Sequence, residues 1–177
     1  MAYDPNLHHR RSIRLPDYDY SETGGYFITI CARNQDLLFG EIVDGEITLN
    51  EYGTIVEQCW NDLPNHYSNI ELDTFIIMPD HVHGIIIINE SKETVGTAGS
   101  SGTGRVRDHA PTTTKIHGLS EIVRAFKSYS AKRINQLRNA TGQPFWQRNY
   151  YEHVIRNEAD MERIRQYIHD NPYKTED

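Results

Sequence analysis

Between Ile70 and Ile88 the chain reads IELDTFIIM, a short polar turn, and then HVHGIIII. Two apolar-rich runs of that length, joined so tightly, most simply form an antiparallel pair of strands. Upstream, Gly24-Gly25 precedes YFITICA, whose β-branched and aromatic residues predict a central strand. In FGEIVDGEITLN, Asp44-Gly45 is a two-residue turn signal between apolar stretches and predicts a hairpin.

The rhythm then changes from two to three and four. Ile55, Val56, Cys59, Trp60 and Leu63 predict a helix over 51–63, capped by Asn50 and stopped by Pro64. Ser120 is placed to cap a second helix with Val123, Phe126, Ile134 and Leu137 on one face. A strand is expected over Tyr150 to Ile155, and Asn157, with acidic Glu158 and Asp160, opens a last helix that Pro172 closes. The order β, hairpin, α, β, β, α, β, α predicts an α+β fold of the ferredoxin-like split βαβ type. Its central sheet is antiparallel, with helices packed on one face.

The chain of 177 residues with 37% hydrophobic content is read as one domain over 1–177. A basic N-terminal arm is assigned to 1–20 and a Gly/Ser/Thr-rich, flexible insertion to 89–117. The longest apolar run, Ile85 to Ile88, is far short of a membrane span, and the N-terminus lacks a signal-peptide core, so a cytoplasmic protein is expected. Cys31 and Cys59 have no metal-type spacing and are read as small hydrophobes.

Net charge is -7, but it is unevenly distributed. No Lys or Arg occurs between Asn34 and Ser91, where eleven acidic residues fall. Basic residues gather elsewhere: Arg10, Arg11 and Arg14 in the arm, Arg124, Lys127, Lys132, Arg133 and Arg138 on the second helix, and Arg148 beside Trp146 and Tyr150. Such groups can track phosphates while aromatic rings stack on unpaired bases; a solvated helix face is the competing reading.

The chemistry-bearing residues are few. Residues two apart in a strand share a face, so His81 and His83 project together and can share one metal ion, while Val82 packs the other way. Alone, a His-x-His pair at a strand edge is equally a pair of solvated side chains. Tyr167 and Asn171, four apart on the last helix, stack on one face, with Ile164 and Ile168 pinning that helix to the sheet. His153 is a further candidate, as a partner behind the site or an acid/base group.

RRSIRLP, GGYFITICA, PDHVHG, WQRNYYEHVIR and YIHDNP, in that order along the chain, together resemble the REP-associated tyrosine transposases. These are single-tyrosine relatives of insertion-sequence transposases, with the HUH nuclease fold. The resemblance implies that His81 and His83 bind a divalent metal, Mg or Mn, that Asn171 is the third ligand, and that Tyr167 is the nucleophile. It implies single-stranded DNA hairpins from palindromic repeats as partners, a nucleoid-associated location, and guide-sequence or stem contacts for Arg10 to Arg14. The short link from Ile155 to Glu158 favours a site completed in one chain and a monomer, with a homodimer the alternative. Two other readings stay open: a water-activating nuclease with Asp80 or Glu71 as an additional ligand, and a non-catalytic regulator that binds hairpin DNA.

Overall fold

A computed structural model describes residues 19–33, 36, 38–90 and 117–172. Its elements follow the predicted order. β1 (Gly24–Cys31) is followed by β2 (Gly40–Val43), β3 (Glu46–Leu49), α1 (Glu51–Asn61) and the single turn α2 (Leu63–His66). Then come β4 (Ile70–Ile77), β5 (His81–Ile88), α3 (Leu119–Leu137), β6 (Tyr151–Ile155) and α4 (Glu158–His169). The arm residues Arg10, Arg11 and Arg14 and most of the 89–117 insertion lie outside the described residues.

The main sheet is antiparallel, with strand order β4-β5-β1-β6, so YFITICA is central as predicted. The hairpin β2-β3 forms its own two-stranded sheet, turning through Asp44 and Gly45 at φ 54° and 77°. Two consecutive left-handed residues are what a type I′ turn needs, and Asp-Gly supplies them at little cost. Asn50 caps α1 by accepting from the N–H groups of Tyr52 and Gly53. Pro64 ends α1 as expected, yet it also occupies the first turn of α2, where a missing N–H costs nothing. Ser120 is not the cap of α3. The helix starts one residue earlier, and Gly118 stands at its cap position without a side-chain hydrogen bond. Leu137, the final residue of α3, is exposed, whereas Ile134 on the same stripe is still fully buried.

The expectation that helices share one face of the sheet holds for α1 and α3 and fails for α4. Tyr26, Ile28, Ile30, Val82, Ile86 and Ile88 form a core with Trp60, Val123 and Phe126. The alternate residues Phe27 and Ile85 form a second cluster with Ile164 and Ile168 of α4 on the opposite face. The reason lies in HVHGIIII: four consecutive isoleucines put apolar groups on both faces of β5, and both must be covered. Burying each such side chain contributes about 1.5–3 kcal/mol. α4 therefore lies over the face that carries His81 and His83.

Gly84 belongs to this arrangement. A Cβ there would lie 2.5 Å from Cζ2 of Trp60, and the Trp60 ring stacks on Phe75 at 4.4 Å between centroids with a 7° interplanar angle. The indole can lie flat against the sheet, directly behind the histidine pair, because this position has no side chain.

Candidate active site

β5 begins at His81, and the pleat sends His81 and His83 to the face covered by α4 while Val82 is fully buried on the other. Their Nε2 atoms face each other at 3.0 Å. Each ring is held from behind. His81 Nδ1 lies 2.5 Å from Asp80 Oδ1, and His83 Nδ1 lies 2.8 Å from Thr29 Oγ1 on β1. An ionised carboxylate can only accept, so Asp80 places the proton of a neutral His81 on Nδ1 and leaves the Nε2 lone pair pointing at His83. His83 is buried; burial first, then the charge of His81, lowers its pKa to about 3. It therefore stays neutral, which is the ligating form.

Two converging ring nitrogens, each oriented by a partner on its other nitrogen, fit a divalent metal site with its outer shell in place. Among the described residues no cluster of three or more His, Cys, Asp or Glu side chains could hold a metal ion. Asp80 stands beside the pair and engages His81 through Oδ1 alone. Glu71 sits at the far end of the strand pair, opposite Ile87, and accepts from Asn89 at 2.9 Å.

α4 brings Tyr167 to this place. Its ring is 5.3 Å from that of His83 and 6.0 Å from that of Phe27, nearly perpendicular to the latter at 89°. Tyr167 is 40% exposed, at the edge of the stripe formed by Ile164 and Ile168. Asn171 is buried one turn further on, directly after α4. It is not among the residues lining the cavity that holds Tyr167 and His83, whereas Asp170 is.

That cavity, of about 900 Å³, is walled by Phe27, Thr29, His83, Tyr151, His153 and Tyr167, with Arg163, Gln166 and Asp170 on the α4 side. His153 is brought to it. Its Nε2 pairs with Asp160 Oδ2 at 2.9 Å, and the same carboxylate pairs with Arg163. The hydrogen bond from His153 is the main reason the Asp160 pKa falls to about 2, followed by that from Arg163.

A second pair of groups seats α4. Arg165 donates from Nε and Nη2 to the two oxygens of Asp73, at 2.9 and 2.8 Å. Asp73 lies where β4 slips register between Leu72 and Phe75, and it also accepts from the Thr74 N–H and hydroxyl. The Arg165 guanidinium is the largest cause of an Asp73 pKa far below the usual carboxylate range. This two-point pairing was hidden in the sequence, because its partners are 92 residues apart. Phe27, Thr29 and Tyr151 were also missed as site residues, although alternation along β1 and β6 would have put them on the histidine face.

The basic residues divide. Arg124, Lys127 and Arg148 line a second cavity of about 600 Å³ with Tyr150. Lys127 is held within it: its ammonium donates to the carbonyls of Gln147, Arg148 and Asn149, which uses all three of its donors. Arg133 reaches Gln58 and Cys59 on α1, and Arg138 reaches Asn135 and the Phe145 ring. Arg124, Lys132 and Arg148 are exposed. Trp146 is not available for stacking on bases. It is 7% exposed, packs among Phe39, Phe126 and Phe145, and donates its Nε1–H to Ser130. No helix among the described residues is long and apolar enough to cross a membrane.

Three comparisons bear on this geometry. Residues 102–171, from the insertion through α4, match the family model "Transposase IS200 like". An uncharacterised protein of Haemophilus influenzae is 39% identical over 171 residues, covering 96% of this chain and 92% of that protein. A solved REP-associated tyrosine transposase bound to a REP hairpin superposes with a TM-score of 0.59 at 17% identity, over 92% of this chain and 74% of that chain. The fold expected from the sequence motifs is therefore the fold observed. The chain thus matches the IS200-like transposase family over residues 102–171 and has, over 92% of its length, the fold of a REP-associated tyrosine transposase.

Proposed function

We propose that this protein is a transposase that cleaves and rejoins single-stranded DNA through Tyr167. The observation that carries the reading is the position of the Tyr167 ring, 5.3 Å from the His83 ring on the wall of one cavity.

The Tyr167 phenol attacks a phosphodiester in single-stranded DNA. The new Oη–P bond forms as the P–O bond to the 3′ oxygen breaks, the phenolic proton is lost, and the leaving oxygen is protonated to a free 3′-hydroxyl. The product is a 5′-phosphotyrosine link. Phenolate, with a conjugate acid pKa near 10, is a better leaving group than an alkoxide, so a second 3′-hydroxyl can reverse the step and rejoin strands. Bond energy is retained, and no nucleotide cofactor is required. His81 and His83 would hold Mg or Mn together with Asn171. When bound, that ion neutralises phosphate charge and orients the scissile group. Phe27 holds the tyrosine ring edge-on, and Asp80 and Thr29 fix the imidazoles.

The substrates proposed are hairpins from palindromic repeats. A REP hairpin is what the structurally similar transposase carries. Exposed Arg124, Lys132 and Arg148, with the arm residues Arg10, Arg11 and Arg14, supply phosphate contacts.

The test mixes purified protein, Mn or Mg, and labelled single-stranded hairpin oligonucleotides drawn from repeats beside its own gene. An SDS-resistant adduct that disappears in Tyr167→Phe is the expected result. Metal-dependent cleavage that survives Tyr167→Phe would instead establish a water-activating nuclease, and tight binding without cleavage would establish a regulator.

A further inference from the structure

One wall of the cavity is left unexplained by strand transfer alone. Tyr151 opens β6, and its register partner on β1 is Thr29, the residue that holds His83. Pleat alternation puts Tyr151 and His153 on the histidine face, while Glu152 is buried on the other. Tyr151 is 50% exposed although it meets Phe27 of the second core cluster, with ring centroids 6.2 Å apart at 67°. In such a T-shaped arrangement either the edge of Tyr151 meets Phe27 or the edge of Phe27 covers one face of Tyr151. Both arrangements leave at least one π face of Tyr151 uncovered by Phe27, and half of the residue is exposed.

Among the described residues β6 is the outer strand of the sheet, and no further strand of that sheet lies beside it there. The cavity volume of about 900 Å³ lies at the upper end of the roughly 300–1,000 Å³ of small-ligand pockets, which leaves room for more than the tyrosine nucleophile. Its apolar rings are rimmed by groups that donate or accept: His153, Gln166 and Asp170. An exposed aromatic ring with a polar rim suits one planar heterocycle with polar edges.

We propose that Tyr151 is the stacking platform for an unpaired nucleobase next to the phosphodiester that Tyr167 attacks. The proposal rests on the strand-transfer reading for the identity of the polymer, and on the cavity geometry for the stacking. Tyr151 acts as a positioning residue. Stacking one base fixes the neighbouring phosphate over the histidine pair and selects single-stranded over duplex DNA, since a base inside a duplex has both faces covered by its stacked neighbours. Base-on-aromatic stacking tolerates every base, so the platform discriminates strandedness more than sequence.

The test uses the full chain carrying Tyr167→Phe, which holds DNA without forming the phosphotyrosine link. The probe is a short oligodeoxythymidylate containing 5-iododeoxyuridine. Ultraviolet crosslinking followed by peptide mapping is expected to mark Tyr151. Tyr151→Ala should weaken binding on the order of tenfold, the size of one base stack, while Tyr151→Phe keeps parental affinity because it keeps the ring. A duplex probe should show no difference between the three. Equal affinity of Tyr151→Ala and the parent would overturn the platform, and so would an Ala-sized loss in Tyr151→Phe. No binding of the oligonucleotide by the parent chain would also overturn the platform, and all of these outcomes leave strand transfer by Tyr167 on hairpin substrates standing.

Discussion

His81 and His83 owe their arrangement to two neighbours, Asp80 and Thr29, that hold each Nδ1 and leave the Nε2 atoms converging. Adding Mn to the purified chain is therefore expected to raise Tm by several degrees, because a ligand that binds only the folded state adds about 2.7 kcal/mol at 100 times its Kd. His81→Ala and His83→Ala should each abolish that rise, while Tyr167→Phe keeps it. Differential scanning calorimetry with and without Mn measures all four proteins, and a rise unchanged in both histidine variants would remove the metal from this site. The pair was legible in the sequence, since a strand start with His at alternate positions admits one geometry. The orienting Thr29 was not, because its hydrogen bond to His83 crosses 54 residues.

Element packing decides whether that chemistry is assembled. Gly84 lets Trp60 lie flat behind the histidines, and a methyl group there would meet the indole at 2.5 Å. Gly84→Ala should destabilise by about 1–3 kcal/mol, the usual cost of overpacking, lowering Tm by roughly 2–4 °C per kcal/mol. Thermal unfolding checks this, and an unchanged Tm would show that Trp60 moves freely. α4 depends on the pairing of Asp73 with Arg165. Asp73→Asn should speed amide exchange in α4 while leaving α1 and α3 unaffected, and should reduce the yield of adduct. Because the folded Asp73 pKa is depressed, its stabilisation is full above the unfolded value near 3.9 and is lost only as pH falls through the lower folded value. The exchange difference between the two proteins is thus expected to be constant from about pH 8 to 5 and to shrink below about pH 4. A difference that changes within the upper range would contradict the assignment. Element order and most boundaries were readable from periodicity and caps. The side on which α4 lands was not, because Ile85 to Ile88 serve both faces and a strand pattern alone cannot say which helix covers which.

Across the whole molecule the charge is polarised: a net -7 chain places eleven of its 25 acidic residues between Asn34 and Ser91, where no Lys or Arg occurs, and presents Arg124, Lys132 and Arg148 on exposed positions elsewhere. Arg124→Glu and Arg148→Glu should each weaken single-stranded DNA binding uniformly across sequences and flatten its salt dependence by roughly 0.7 for each phosphate no longer neutralised. Lys127→Met should instead lower thermal stability, since its ammonium already satisfies three carbonyls. Titrations at several salt concentrations separate the two behaviours, and a slope change in Lys127→Met with unchanged Tm would reverse the assignment. Sequence grouped these cations together; only the fold shows which are spent on the protein itself. The central claim is that one tyrosine, brought by α4 to the histidine pair of its own chain, carries the DNA. Peptide mass mapping of the isolated covalent adduct tests it most directly. Of the eleven tyrosines, the account predicts the nucleotide on Tyr167 alone. DNA linked to Tyr151, which shares the cavity, or to any other tyrosine would contradict it.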